Sequence, residues 1–509
     1  MTHSITDWPN LVSVALPALQ WLVTGLFWLV LAWVGVYGLH RYWLVILYYR
    51  YRPRLHRPAT RFDELPPVTV QLPMFNEANV ARRIIDAACA LEYPADKLQI
   101  QVLDDSTDHS AEIAQAHVAH WAGRGVDIQY LHRTDRTGFK AGALADALPH
   151  ATGRFIAIFD ADFVPHPGFL KRTVHHFTDP AVGMVQTRWD HLNRTDSILT
   201  RSQAIFLDGH FIIEHTARNR SGRWINFNGT AGIWRRTAIE SAGGWHHDTL
   251  TEDVDLSYRA QLKGWRFVFL PRVACPAELP PEINAFKSQQ HRWTKGSIQT
   301  AKKLLPQLLR ANIPLRVKIE AFFHLTSPMV YLYVTLMVLL FYPAFCLRDR
   351  LIEHRSVAGL LGGFCIFGLG TVSATVFYLV SQRAQRRGIL STLIQVPVLM
   401  GIGIGIALNN ARGCIEALVG HDSPFIRTPK YNTTNNSPTP KVQSPKSQTN
   451  GPRSATNGPR SATNGPRSEI RNQKSAPLPF PSITLWMSLL EIAMGLYTLQ
   501  CARASLGTQ

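Results

Sequence analysis

Residues 11–39 are apolar and almost free of charge. A helix of that length spans about 30 Å of hydrocarbon, so the rest of the chain has to be organised around a membrane. The stretch is too long for a secretory h-region and no small-residue cleavage site follows, so it reads as a retained anchor. The anchor with its flank covers 11–48. Arg41, Arg50, Arg52, Arg54, Arg57 and Arg61 follow, and the excess of cations places residues 50 onward in the cytosol. Two more apolar segments, 320–346 and 357–381, read as spans, and a last one runs over 480–501. The first half of 388–419 is apolar enough to cross, but its second half is amphipathic. Residues 421–476 carry nine Lys or Arg against two acids and therefore belong in the cytosol. By parity 388–419 is expected to be interfacial or re-entrant. The reading is a multi-pass inner (plasma) membrane protein with its soluble part cytosolic.

The 53 Lys and Arg against 35 Asp and Glu give a formal net charge of +18. Nucleic acid, an anionic membrane surface and an anionic substrate all suit that balance. Arg clusters beside apolar spans favour the membrane, and no nucleic-acid motif appears. The basic amphipathic stretch 300–318 reads either as a solvated helix face or as a membrane-interface helix. Six cysteines are scattered without a Cys-x-x-Cys pair, which leaves no disulfide framework or zinc site. Residues 431–475 are rich in Ser, Thr, Asn, Pro and Gly and repeat Asn450-Gly-Pro-Arg-Ser-Ala-Thr from Asn457. Such a segment buries too little surface to offset its ordering entropy and is expected to be a disordered linker.

Between 66 and 300 the pattern changes. Apolar runs at 68–72, 98–103, 128–131 and 155–159 alternate with helical patterns at 80–90 and 111–121. This alternation argues for a parallel, doubly wound α/β sheet, whose ligands sit at the carboxyl ends of the strands. Asp104, Asp105, Asp160 and Asp162 fall at or just past such ends.

Asp160-Ala-Asp162 presents two carboxylates one residue apart. Hard oxygens suit Mg2+ or Mn2+, and such a cation offsets charge growing on a departing nucleotide diphosphate; solvated loops also produce Asp-x-Asp. Asp104-Asp105-Ser106 suits a ribose, a base edge or the same metal, or else an Asx-turn cap. In Thr251-Glu252-Asp253 a carboxylate can take the proton of an attacking hydroxyl, or acids simply complement a helix N-terminus. Gln289-Gln-His-Arg-Trp293 joins a planar cation suited to diphosphate to a flat apolar ring suited to a sugar; a basic helix with a buried Trp has the same residues. Lys140 lies in the Gly-flanked turn Gly138-Phe-Lys-Ala-Gly142, as a phosphate ligand or an ordinary surface lysine.

Taken in order, Pro73-Met-Phe-Asn-Glu77, Val102-Leu-Asp-Asp-Ser106, Gly138-Phe-Lys-Ala-Gly142, Asp160-Ala-Asp162, Phe227-Asn-Gly-Thr230, Thr251-Glu-Asp253 and Gln289-Gln-His-Arg-Trp293 resemble the inverting family 2 glycosyltransferases, and within them the cellulose synthase and cellulose-synthase-like (mannan and glucan) branch. The resemblance covers about residues 50–430. It implies a GT-A type doubly wound mixed sheet over 50–300, inserted between transmembrane helices. It implies a UDP- or GDP-hexose donor held by Asn76, Glu77, Asp104, Asp105, Lys140, Asp160, Asp162 and Arg292. Asp160 and Asp162 would hold the metal, Mg2+ or Mn2+, and Asp253 would be the general base. Gln289, Trp293, Phe227 and Gly229 would meet the acceptor. Phe425, Thr428 and Lys430 match a gating-like loop at 421–430. The sequence departs from the family at Ala143, where Asn is common, in its single N-terminal span, and in the linker. The implied product is a β-linked polysaccharide of glucan or mannan type. A glycolipid synthase that adds one sugar to a membrane lipid such as diacylglycerol is the alternative acceptor reading, and a catalytically silent membrane scaffold or transporter is the alternative from another class.

Overall fold

A computed structural model describes residues 8–351, 357–421, 428–432 and 497. The expected linker past Asn432, most of the expected span 480–501, and Phe425 lie outside the described residues. The core is a seven-stranded sheet of β1 (Val68–Met74), β2 (Leu98–Asp104), β3 (Ile128–His132), β4 (Phe155–Ile158), β5 (Val182–His191), β6 (Gly232–Arg235) and β7 (Arg266–Ala277), in the order β3-β2-β1-β4-β6-β5-β7. β1, β2 and β4 are buried along their whole length, as strands covered on both faces must be. Their register is fixed from inside. Thr69 faces Gln99 and Gln71 faces Gln101, joined by side-chain hydrogen bonds of 2.8 and 3.0 Å. A slip of one residue would strand these buried polar groups among apolar neighbours.

β1 to β4 run parallel, as the alternation requires. β6 runs antiparallel to both β4 and β5, so the sheet is mixed rather than all-parallel. The reason is local. Gly232 pairs with Ile158, at the far end of β4, and β6 therefore starts where β4 stops. The segment 227–231 is delivered directly to the carboxyl end of β4, beside Asp160. A four-residue strand carries too little pattern to be read from sequence.

Helix Trp8–Tyr51 contains a 34-residue apolar stretch, Ala18–Tyr51, long and apolar enough to cross a membrane. The segment expected as one span over 320–346 is divided. Leu315–Thr326 and Met329–Phe341 are inclined at 58°, because Pro328 has no N–H to continue the ladder and disfavours helix at the residue before it. Ile389–Gly405 and Ala407–Val419 are likewise bent by 42°. The second of these packs Cys414 and Ala417 on Ile298 of helix Ile283–Arg310. Helix Val357–Ala384 crosses the first helix at a pair of glycines: a Cβ added at Gly38 would lie 2.9 Å from the Gly370 Cα. Small residues of this kind let apolar helices approach closely. Gly38→Ile is expected to force the pair apart and lower stability by about 1–3 kcal/mol, the usual cost of overpacking. Thermal melts in detergent should show this, whereas Gly25→Ile, which meets nothing within 4 Å, should melt as the wild type does.

Candidate active site

One cavity opens at the carboxyl ends of β1, β2 and β4. Glu77, Asp105, Lys140, Asp160 and Asp162 line it from the sheet side, and Gly229 and Asp253 from its floor. Gln289, Arg292 and Trp293 line it from helix Ile283–Arg310, and Thr428 and Lys430 from the segment after the helices. Three expected site residues lie elsewhere. Asn76 has a left-handed backbone (φ 54°), and its side chain bridges to the Thr107 amide at 2.8 Å, tying the ends of β1 and β2 together. Asp104 is buried and accepts from Tyr130 Oη at 2.7 Å and the Ser106 amide at 3.0 Å, the Asx arrangement that its sequence context also allowed. Phe227 is fully buried against Trp234, so the core claims its ring and leaves none of it for an acceptor.

The Asp-x-Asp pair is held by two ammonium groups. Lys140 pairs with Asp160 and donates to the Gly229 carbonyl at 2.9 Å. Lys430 pairs with Asp162 at 2.6 Å. Lys140 is not in a turn, as its flanking glycines suggest, but in the first turn of helix Phe139–Ala147, with Gly138 at φ 76° supplying the entry. Burial weakens the Lys140 ammonium, yet Asp160, Glu252 and Asp253 outweigh it and hold its pKa above the ordinary lysine value. Two oxygen-donor carboxylates that already attract an ammonium each are a donor set suited to Mg2+ or Mn2+. A different cluster, His246, Asp248 and Asp255, also brings its ligand atoms within 4.8 Å. There Lys303 lies 2.7 and 2.8 Å from the two aspartates and Arg259 lies 2.6 Å from Asp255, so these carboxylates, like Asp160 and Asp162, are paired with cations.

Asp253 sits in the first turn of helix Glu252–Leu262 and accepts from the Val254 amide at 2.9 Å. Burial, then the neighbouring Glu252, pushes its carboxyl up to about 8 against the pull of Lys140. That value suits a base working near neutral pH. Gly229 adopts φ 78°, and a Cβ there would come within 3.3 Å of Asp253 Oδ2 and 3.5 Å of Lys140 Nζ, so a side chain would crowd the Asp253 carboxylate.

Spacing sorts the 289–293 segment. Residues at i, i+3 and i+4 share a helix face, and Gln289, Arg292 and Trp293 face the cavity. His291 turns away and lies 3.3 Å from Glu416 of helix Ala407–Val419. Burial lowers the Arg292 pKa against Glu252, Asp160, Asp253 and Glu77. The Trp293 and Trp189 rings lie 6.4 Å apart and both line the cavity.

Several contributors carry no sequence signal. Arg133 grips Asp105 through two nitrogens at 2.8 and 2.6 Å. The Arg136 guanidinium lies 3.3 Å from the Phe75 ring centroid. A Cβ at Gly296 would meet Thr251 Cγ2 at 2.5 Å, so only a glycine there lets the helix bearing Trp293 lie this close to the residue that precedes the helix bearing Asp253. Each depends on contacts far apart along the chain, which periodicity does not report.

Residues 66–296 match the family described as glycosyltransferase like family 2. Glucomannan 4-beta-mannosyltransferase 2 of Arabidopsis thaliana is 41% identical over 267 residues, 52% of this chain and 50% of the relative. Glucomannan 4-beta-mannosyltransferase 1 of Oryza sativa subsp. japonica is 43% identical over 260 residues, 50% of each. The chain thus spans about half the length of the curated relatives it matches. The solved mannosyltransferase PcManGT from Pyrobaculum calidifontis, in complex with GDP-Man and Mn2+, superposes with a TM-score of 0.56 at 20% identity, over 79% of this chain and all of that one. That likeness shows a shared GT-A-like fold.

Ionised Asp253 is strained by its surroundings. Its pKa is raised on folding from the ordinary 3.8 to about 8, so the folded state binds more protons, and stability falls as pH rises across that interval. Asp253→Asn is expected to raise the melting temperature at pH 8 and to lose that advantage near pH 4. Gly296→Val is expected to lower it at both pH values. Melts of the purified protein check both.

Proposed function

We propose that this chain is a membrane-embedded inverting glycosyltransferase that moves a hexose from a nucleoside diphosphate onto a hydroxyl of a growing β-linked glycan at the cytosolic face. The observation that carries the reading is the meeting of Asp253, poised near pH 8, with Asp160, Asp162, Lys140, Arg292 and Trp293 in one cavity. The names of the relatives and of the structural neighbour support mannose from GDP-mannose, with glucose from UDP-glucose as the second donor.

In this reading Asp105 and Glu77 lie at the nucleotide end and Lys140 and Arg292 serve the diphosphate. Asp160 and Asp162 would hold Mg2+ or Mn2+, which supplies a hard positive charge for the departing diphosphate. Asp253 takes the proton of the acceptor hydroxyl. That oxygen bonds to the anomeric carbon on the face opposite the phosphate. The bond from carbon to phosphate oxygen breaks, and its electron pair leaves with the nucleoside diphosphate, inverting the configuration. Gln289 and the Trp293 and Trp189 rings offer the acceptor a polar contact and flat apolar faces. Thr428 and Lys430 close the cavity from the chain's later segment. The apolar stretch 18–51 anchors the domain and the basic residues after it favour the cytosolic side.

Isolated membranes supplied with radiolabelled GDP-mannose or UDP-glucose test this. The expected product is a polymer that a β-mannanase or β-glucanase degrades, formed with Mn2+ or Mg2+ and lost on chelation. A single lipid-soluble glycoside would replace the polymer reading, and no turnover of either donor would overturn the transferase reading. Asp253→Asn is expected to keep nucleotide binding and lose at least about 10³-fold in kcat. In the wild type, kcat/KM should rise with pH up to about 8, as the base must be deprotonated to act.

A further inference from the structure

Asn228, next to the glycine that abuts Asp253, is steered from behind. Its Nδ2 lies 2.9 Å from His210 Nε2. His210 Nδ1 lies 3.0 Å from Glu214 Oε2, and His215 Nε2 lies 3.0 Å from His210 Nε2. One assignment satisfies all three contacts. The Glu214 carboxylate only accepts, so His210 Nδ1 donates to it. A neutral imidazole then offers one lone pair at Nε2, which the Asn228 and His215 N–H groups share. The Asn228 amide nitrogen is therefore committed to His210, which turns its oxygen the other way. That Oδ1 atom is buried and without a partner among the described residues, in a residue that lines the cavity. The backbone beneath it is fixed separately, since the Asn228 amide donates to Gln186 Oε1 at 2.9 Å. Only the orientation of the side-chain amide depends on His210.

The support behind His210 is extensive. It sits in a π-helical turn, Gly209–His215, a local distortion that recurs at functional sites. Gly209 is pressed against helix Val357–Ala384, where a Cβ would lie 2.5 Å from Phe377 and 3.0 Å from Tyr378. Glu214 meets Arg218 at 3.3 Å, Arg218 meets Glu320 at 2.9 Å, and Glu320 meets His40 of the first helix at 3.2 Å. Glu214, which fixes the His210 tautomer, is thus tied through Arg218 and Glu320 to the first helix.

We propose that Asn228 Oδ1 accepts a hydrogen bond from a sugar hydroxyl in the cavity, and that His210 is the positioning residue that fixes this end of the amide toward the sugar. Together they set which pattern of hexose hydroxyls the site accepts. This rests on the transferase reading above. A site built to bond a hydroxyl discriminates strongly against an analogue that lacks or misplaces it, and an amide free to flip presents a donor where an acceptor is needed.

The test uses the full chain in membranes, with donor pairs that differ at one hydroxyl: GDP-mannose against GDP-glucose, and UDP-glucose against UDP-galactose. Asn228→Ala and His210→Phe are each expected to move the wild-type ratio of kcat/KM within a pair toward unity by about tenfold or more. The double variant should be no worse than either single one, as residues acting through one contact are not additive. His210→Gln, which keeps one donor and one acceptor, should restore part of the ratio. Binding of GDP or UDP alone, unchanged in all variants, reports a folded site. A loss of kcat/KM on both epimers alike, with the ratio kept, would assign His210 a purely structural role and overturn the proposal, as would a wild-type ratio of one in both pairs. Wild-type membranes that turn over none of the four donors would take down the transferase reading and this inference together.

Discussion

Carboxylates that repel one another can share a cavity only if cations are built in among them, and this balance organises the whole protein. Asp160, Asp162, Glu252 and Asp253 converge on a small volume where like charges interact strongly. Lys140 reaches them from the first turn of one helix, Arg292 from the middle of another, and Lys430 from a segment 268 residues after Asp162. The sheet places the first acids, but elements on every side of it place their counter-charges. Burial first, and then the repulsion of Glu252 that Lys140 does not cancel, leave Asp253 with a raised pKa. The strain that makes it a usable base is the strain that a neutral substitution relieves.

The helix Ile283–Arg310 does two jobs. Its front face carries Gln289, Arg292 and Trp293 to the cavity, while its back face is clamped by Glu416, which meets both His291 and Lys295. Lys295 is fully buried, and a buried cation is tolerable only beside such an anion. Gly296 lets the same helix lie on Thr251, one residue before Glu252. The spacing between Asp253 and the Trp293 ring is therefore held by the close approach of Gly296 to Thr251, with the Thr251–Thr300 hydroxyl contact beside it.

Much of this was legible in the sequence where the signal is local. Buried strands followed by acids gave the places of Asp105, Asp160 and Asp162, because a strand end and a ligand site coincide in a parallel sheet. Helical spacing gave the shared face of Gln289, Arg292 and Trp293. The differences in placement share a cause. Asp104 and Phe227 sit in motifs beside true cavity residues, but strand pleat and core packing turn their side chains elsewhere, and a one-residue alternation of facing is invisible in a motif. The reversal of β6, the break at Pro328, the grip of Arg133 on Asp105, and the partnership of Asn228 with His210 depend on what lies across the fold.

The pairing of Lys430 with Asp162 also bears on where the functional unit ends. The family segment closes at residue 296, yet one wall of the cavity is supplied by Thr428, Lys430 and the strap they form, with Asn79 bonding the Lys430 carbonyl at 3.0 Å and Tyr431 bonding Glu278 at 3.1 Å. Residues 66–296 excised alone would keep the sheet but leave Asp162 buried without its ammonium, and helix Ile283–Arg310 cut midway and unclamped. The recognisable module and the working machine have different edges. The module carries its full cavity only together with the helices that bring its last wall back to it.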